Sequence, residues 1–208
     1  MSAASSADQV WHDFMEQPGS YIHPERLARC FRGLVAAELC AKLASSERLR
    51  SRLAEMIRLY YMLPPAVQAD EGADEQDLII AMAPPEILQS IVPSAGAIYW
   101  SAAIANTVLA AEVAALQEQI GENLCAVAVK NRDLAGPASS LSSLDTLTDR
   151  IMASGWLCLA AWCESLHPAI AARVRLKLPP HALFDAPMAE DYRAIGPDII
   201  RRVAMEAE

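Results

Sequence analysis

A thiol and a possible base fall close together in sequence at Cys158, Cys163 and His167, residue types that can form a nucleophile with its general base. Helical geometry weakens that arrangement, because residues five apart diverge by more than a quarter turn, and no acid nearby would orient the histidine. His12 and Glu16 stand at i, i+4, but two ligands do not make a metal site that needs three or four. The chain lacks Gly-x-Gly-x-x-Gly, a phosphate loop, His-Glu-x-x-His and Gly-x-Ser-x-Gly. Five cysteines, odd in number and without Cys-x-x-Cys, read as reduced core residues. No catalytic, cofactor-binding or metal-ligating residue is therefore assigned, and no cofactor is expected.

Interaction chemistry is better represented. From 173 to 178 the sequence alternates, with Val174, Leu176 and Leu178 set against Arg173, Arg175 and Lys177. Read with period two, this is a half-buried strand whose outer face carries cations about 7 Å apart, suited to an acidic partner patch. The plainer alternative is the solvated side of an amphipathic strand. In either case, replacing the three cations by Ser is expected to change stability only modestly. Trp156 and Trp162 could anchor a partner, although Trp162 shares a stripe with Leu159 and Leu166 and reads as core. The roles of Tyr99 and Trp100, core or interface, are open at this point.

The elements that must position these residues are mainly helical. Ile151, Gly155, Leu159, Trp162 and Leu166 recur at helical spacing, and Pro168 predicts a stop near His167. Pro24 suits the first position of a helix carrying Leu27, Phe31, Leu34 or Val35, Leu39 and Leu43 after an unstructured start. A second helix follows Ser45 and Ser46 and ends at Pro64-Pro65. Residues 64–77 hold five acids and no base, an exposed linker. Residues 78–82 fit a strand or the lead-in to a helix. Pro84-Pro85 starts a short helix, a long helix runs over about 97–120 with Gly121 as its cap, and 125–129 lean to helix. A loop covers 135–143, with Ser143 or Asp145 capping the next helix. Pro197 is expected to begin the last one. The resulting class is mainly α: a single helical domain over 1–208 with a minor β element near 172–178, comprising an N-terminal helical part 21–63, an acidic linker 64–77 and a main helical part 78–208.

Composition narrows the partners. Apolar residues make up 53% of the 208, enough for a substantial core, and a net charge of -9 argues against nucleic acid and against anionic membranes. The uncharged run 87–111 is long enough to raise the question of a membrane span, but Gln89, Pro93, Gly96, Asn106 and other polar or small residues interrupt it. The start of the chain shows no cleavable signal, so a cytoplasmic location is expected.

The order of these parts resembles the SctK (YscK) family, the cytoplasmic adaptor of the bacterial type III secretion sorting platform. A Gly155-Trp156 helix, a second tryptophan at 162, the basic alternating segment and Leu178-Pro179 follow one another as in that family. Tyr21-Ile22-His23-Pro24-Glu25-Arg26-Leu27 resembles its first helix start, and Ala83-Pro84-Pro85-Glu86-Ile87-Leu88, Gly96-Ala97-Ile98 and Ile120-Gly121-Glu122 come in the expected sequence. Tyr99-Trp100 and the tail beyond Pro180 depart from it. The resemblance implies a non-enzymatic adaptor, peripheral to the inner-membrane face, that bridges the cytosolic domain of the inner-membrane ring protein to the pod (C-ring-like) protein. It implies neither nucleic-acid binding nor membrane insertion. A helical secretion chaperone holding an apolar partner segment is the alternative, and an enzyme using an unrecognised Cys or His is a third.

Overall fold

The computed structural model describes residues 3–68, 74–107, 110–137, 146–184 and 186–206, with side chains from residue 8 onward. Among the described residues the regular elements are α-helices and short 3-10 turns, and there is no strand. In order they are α1 (Ala3–Glu16), α2 (Pro24–Cys30), α3 (Ala37–Ala44), α4 (Arg50–Tyr60), α5 (Glu75–Met82), α6 (Pro85–Ser90), α7 (Val92–Tyr99), α8 (Ser101–Ala105), α9 (Ala110–Ile120), α10 (Glu122–Lys130), α11 (Leu147–Ser165), α12 (Pro168–Lys177) and α13 (Glu190–Glu206). They form two compact units, each discontinuous in sequence: Met1–Leu88 with Leu166–His181, and Gln89–Ser165 with Ala182–Glu208.

The first unit surrounds Ile22, Leu27, Cys40, Leu53, Ile57 and Leu176, with Phe31, Val35, Met56, Tyr61 and Leu63 closing over them. Two of its helices begin with the same device. His23 and His167 each precede a proline at the first helical turn, with ψ of 135° and 136°. A proline pushes its predecessor out of the helical region, which leaves each imidazole Nδ1 placed to accept the N–H of Glu25 (3.4 Å) and of Ala169 (3.2 Å). The histidines thus do the work of an N-cap side chain. The expected long stripe 27–43 is broken instead at Arg32 and Gly33, both at positive φ, so Leu34 is 88% exposed while Cys40 takes the buried place. Ala3–Glu16 form helix α1, where a mobile lead was expected.

In the second unit α7 and α11 touch backbone to backbone. A Cβ on Gly96 would overlap the carbonyl oxygen of Ile151, and one on Gly155 would overlap that of Val92. Each glycine thus makes room for the other helix's main chain. Gly196 on α13 lies close against Cys158 and Ala161. Around this contact Ala97, Ile104, Leu116, Cys125, Ala128, Leu147 and Ile151 form the core, and Leu159 and Trp162 are fully buried, as their helical spacing anticipates. Tyr99 is buried and stacks on Tyr192 at 4.3 Å. Trp100 Nε1–H donates to Ser154 Oγ at 2.9 Å, and the Ser154 and Tyr192 hydroxyls pair at 3.0 Å. The open Tyr99-Trp100 question resolves to packing.

Several boundaries differ from expectation. The helix expected over 97–120 is divided into α7, α8 and α9, and its Val108 and Leu109 lie outside the described residues. Gly121 does follow α9 at φ 87°, its N–H donating to Gln117 O at 2.8 Å. Residues 78–82 belong to α5 and 125–129 to α10. Pro197 sits inside α13, which starts at Glu190 on an acidic first turn. Pro197 costs one backbone bond there, but it is buried between Gly196 and Ile199. Of the acidic linker, 69–73 lie outside the described residues, as do 138–143 of the expected loop and the caps Ser143 and Asp145. The linker's end is helical, and Asp77 within it is 5% exposed.

The glycine contact gives a stability prediction. Gly96→Ala or Gly155→Ala should cost about 3 kcal/mol or more, since two main chains would have to part to admit a methyl group. Urea denaturation reads this directly, and a midpoint equal to wild type for either variant would show that α7 and α11 do not meet this closely.

Candidate interaction surface

Arg173, Arg175 and Lys177 lie on α12, so the expected basic strand face does not exist. On a helix Arg173 and Lys177 are four apart and share a side, while Arg175 points away from them. That side is interior: Arg173 is 1% exposed and Lys177 3%, whereas Arg175 is partly exposed. A helix buried nearly all round has no polar face, and in this short window its apolar and basic residues happen to alternate.

Backbone oxygens supply what the buried cations need. Arg173 Nε donates to Met15 O at 2.7 Å, and Nη1 donates to Pro64 O at 3.1 Å and Ala169 O at 2.9 Å. Lys177 Nζ donates to Ala81 O at 2.6 Å and Ala83 O at 2.9 Å, and stands 4.8 Å from the Phe14 ring centre and 5.4 Å from that of Tyr21. Most of these acceptors end helices, where carbonyls lack intrahelical partners and carry the negative end of the dipole. Tyr21 Oη donates to Phe14 O at 2.6 Å, and Arg26 donates to Leu178 O at 2.7 Å and Pro179 O at 3.3 Å. Burial holds the Lys177 ammonium down to about 8, lowers Arg173 against a partial offset from Tyr21 and Glu16, and pushes the Tyr21 phenol up.

Four of the five thiols are set against nucleophilic use. Burial pushes Cys158 up to about 12 and Cys30 up to about 11, and raises Cys40 and Cys125, which disfavours the thiolate. The His167 imidazole is engaged as a helix cap. Among the described residues no group of three or more His, Cys, Asp or Glu could hold a metal, and no single helix is long and apolar enough to cross a membrane. A groove of about 480 Å³ in the second unit is lined by Ile104, Val113, Leu116, Cys125, Ala126 and Val129, with Gln117 and Glu122 among its few polar residues.

Exposed chemistry concentrates on α2–α4. Leu59 is 73% exposed, Met62 84% and Leu34 88%, while Tyr60 and Leu39 are about half exposed. The Tyr61 hydroxyl donates to Arg26 O at 2.8 Å, fixing the end of α4 against α2, and the Tyr60 and Tyr61 rings meet edge to face at 5.0 Å. Arg58 pairs with Glu16 at 2.6 Å. Sequence reasoning misses this corner because it reads 27–43 and 49–60 as two apolar helical stripes and assigns nothing to Leu59 or Met62. The break at Arg32-Gly33 and the run 59–63, with five apolar or aromatic residues in succession, were the available signals.

The family model described as YOP proteins translocation protein K (YscK) matches residues 9–207. The chain belongs to the YscK family. No curated protein and no solved structure matches it. YscK membership makes it a type III secretion protein, and the family is not known as one of enzymes. The YscK-like motifs noted in the sequence turn out to meet in pairs. Arg26 of the first bonds the carbonyls of Leu178-Pro179, and Gly96 packs on the helix of Gly155.

Two variants test the buried cations. Arg173→Ser should cost about 3 kcal/mol or more, because it strips three carbonyls of their donor, in contrast to the modest effect expected of an exposed strand. For Lys177 the folded state releases its proton near pH 8, whereas an unfolded lysine keeps it to about pH 10.4. Between these values the unfolded chain binds more protons, so stability should rise with pH. Against Lys177→Met as reference, wild type should gain about 3 kcal/mol from pH 8 to 10.4. Parallel denaturation midpoints for the two proteins across that range would show that Lys177 titrates normally.

Proposed function

We propose that the chain is a non-enzymatic adaptor of a bacterial type III secretion sorting platform. In this role it bridges the cytosolic domain of the inner-membrane ring protein to the pod protein, working in the cytoplasm at the inner-membrane face. The observation that carries the reading is the family match over nearly the whole chain. It is supported by a fold whose buried polar groups are spent on holding helices together, while apolar side chains stand outward on α2–α4. Such exposed groups suit protein contacts.

A secretion chaperone is the second reading, and the groove between α8, α9 and α10 favours it. At about 480 Å³ that groove fits a few side chains rather than the length of a cargo segment, so the adaptor is preferred.

Affinity purification of the tagged full chain from secreting cells separates the two. Ring and pod components should be retained together, and retention should persist when secreted substrates are deleted. Recovery of a single secreted substrate, with neither ring nor pod component, would replace the adaptor by the chaperone.

A further inference from the structure

Met62 ends α4 in the left-handed cap position, with Leu63 N–H donating to Arg58 O at 3.0 Å, which accounts for its backbone turn but not for its side chain. Its φ is 48°, a left-handed conformation that glycine adopts without penalty and a side chain does not. Its side chain is 84% exposed, so core packing does not repay the strain. Arg32, at the end of α2, has φ 53° and is exposed as well. Around Met62 stand Leu59 and Tyr60, and the Tyr61 hydroxyl ties this corner to α2 at Arg26, one turn from the exposed Arg29.

Charge identifies what fits there. Residues 21–63 carry eight Lys and Arg against four Glu, a net of +4 in a chain whose total is -9. Arg29, Arg32, Lys42, Arg48, Arg50 and Arg52 are all exposed. Apolar side chains standing out from a stretch of net positive charge, in a protein otherwise strongly acidic, are complementary to a segment of opposite charge with its own apolar anchors.

We infer that the α4 corner, Leu59, Tyr60 and Met62 with Arg29 beside it, docks an acidic segment of a partner protein that inserts apolar side chains against Met62. The inference deepens the adaptor reading by assigning one of its contacts to a surface and a chemistry. Apolar contact supplies the residence time, and the cations supply attraction that salt screens.

The test places a photo-crosslinking amino acid at position 62, and at exposed position 205 as a control, in the full chain inside cells that assemble the apparatus. Mass spectrometry then maps the joined peptides. The expected result is an adduct from 62, absent from 205, to an acidic peptide of another protein, falling about tenfold with Leu59→Ser and substantially with Arg29→Glu. If that protein is a ring or pod component, both readings stand; if it lies outside the secretion apparatus, the surface stands and the adaptor reading falls. Adducts to a second copy of this chain, to lipid, or to a neutral or basic peptide overturn the surface, as does the lack of any adduct specific to 62. Met62→Gly supplies an independent check. It should melt no lower than wild type, because it relieves the backbone, and should still weaken binding to the cross-linked partner about tenfold. A lower melting point would make Met62 a folding residue and end the proposal.

Discussion

Two cations inside a helical unit must find electron density, and here they find it at the ends of other helices. The last carbonyls of a helix have no intrahelical partner, and a buried ammonium or guanidinium without acceptors is among the most costly groups a fold can contain. Placing Arg173 and Lys177 against Met15, Ala81 and Ala83 answers both demands at once. Helices α1 and α5 stop before Pro18 and Pro84-Pro85, which have no N–H to continue the ladder, so these carbonyls are left free for the cations. Tyr21 and Arg26 extend the scheme to Phe14, Leu178 and Pro179. The first unit is therefore held by polar cross-links from side chain to main chain as much as by its apolar core.

The second unit solves its packing in the opposite way, by removing side chains rather than pairing them. Where Gly96 and Gly155 bring α7 and α11 together, no polar group has to be satisfied and no rotamer has to be fixed. The hydroxyl and indole network of Trp100, Ser154 and Tyr192 flanks that approach and gives it a direction, because each donor has its acceptor in place.

How much of this was readable in the sequence depends on whether the deciding partner is local. Helices whose apolar residues recur at three and four, such as α11, were legible, as was their stop at His167. The segment 173–178 was not, because a helix with its cations buried shows no polar face, and over six residues its pattern coincides with that of a strand. The signal that separates the two lies upstream. His167-Pro168 repeats His23-Pro24, and in both a histidine held extended by the following proline caps a helix. Pro197 misled for a related reason: proline commonly starts helices, but the acids at Glu190 and Asp191 mark the true first turn. The Met62 corner was illegible because exposure depends on which helices break, and the break at Arg32-Gly33 leaves Leu34 outside while Cys40 turns in.

Many of the residues that carry the family resemblance are residues that the fold consumes. Leu27, Gly96, Ala97, Ile98, Gly155, Trp162 and Leu178 are buried, and Arg26 is committed to the two carbonyls at Leu178-Pro179. A buried side chain cannot be the one a partner touches first. These buried residues specify a scaffold, while recognition has to reside in exposed positions. Met62 is such a position: nothing in the core requires its side chain, and its backbone would be more relaxed as glycine. An exposed Met in the left-handed position that ends α4, where glycine would serve the backbone better, has no use inside the core, and a contact outside the chain is what would give its side chain one.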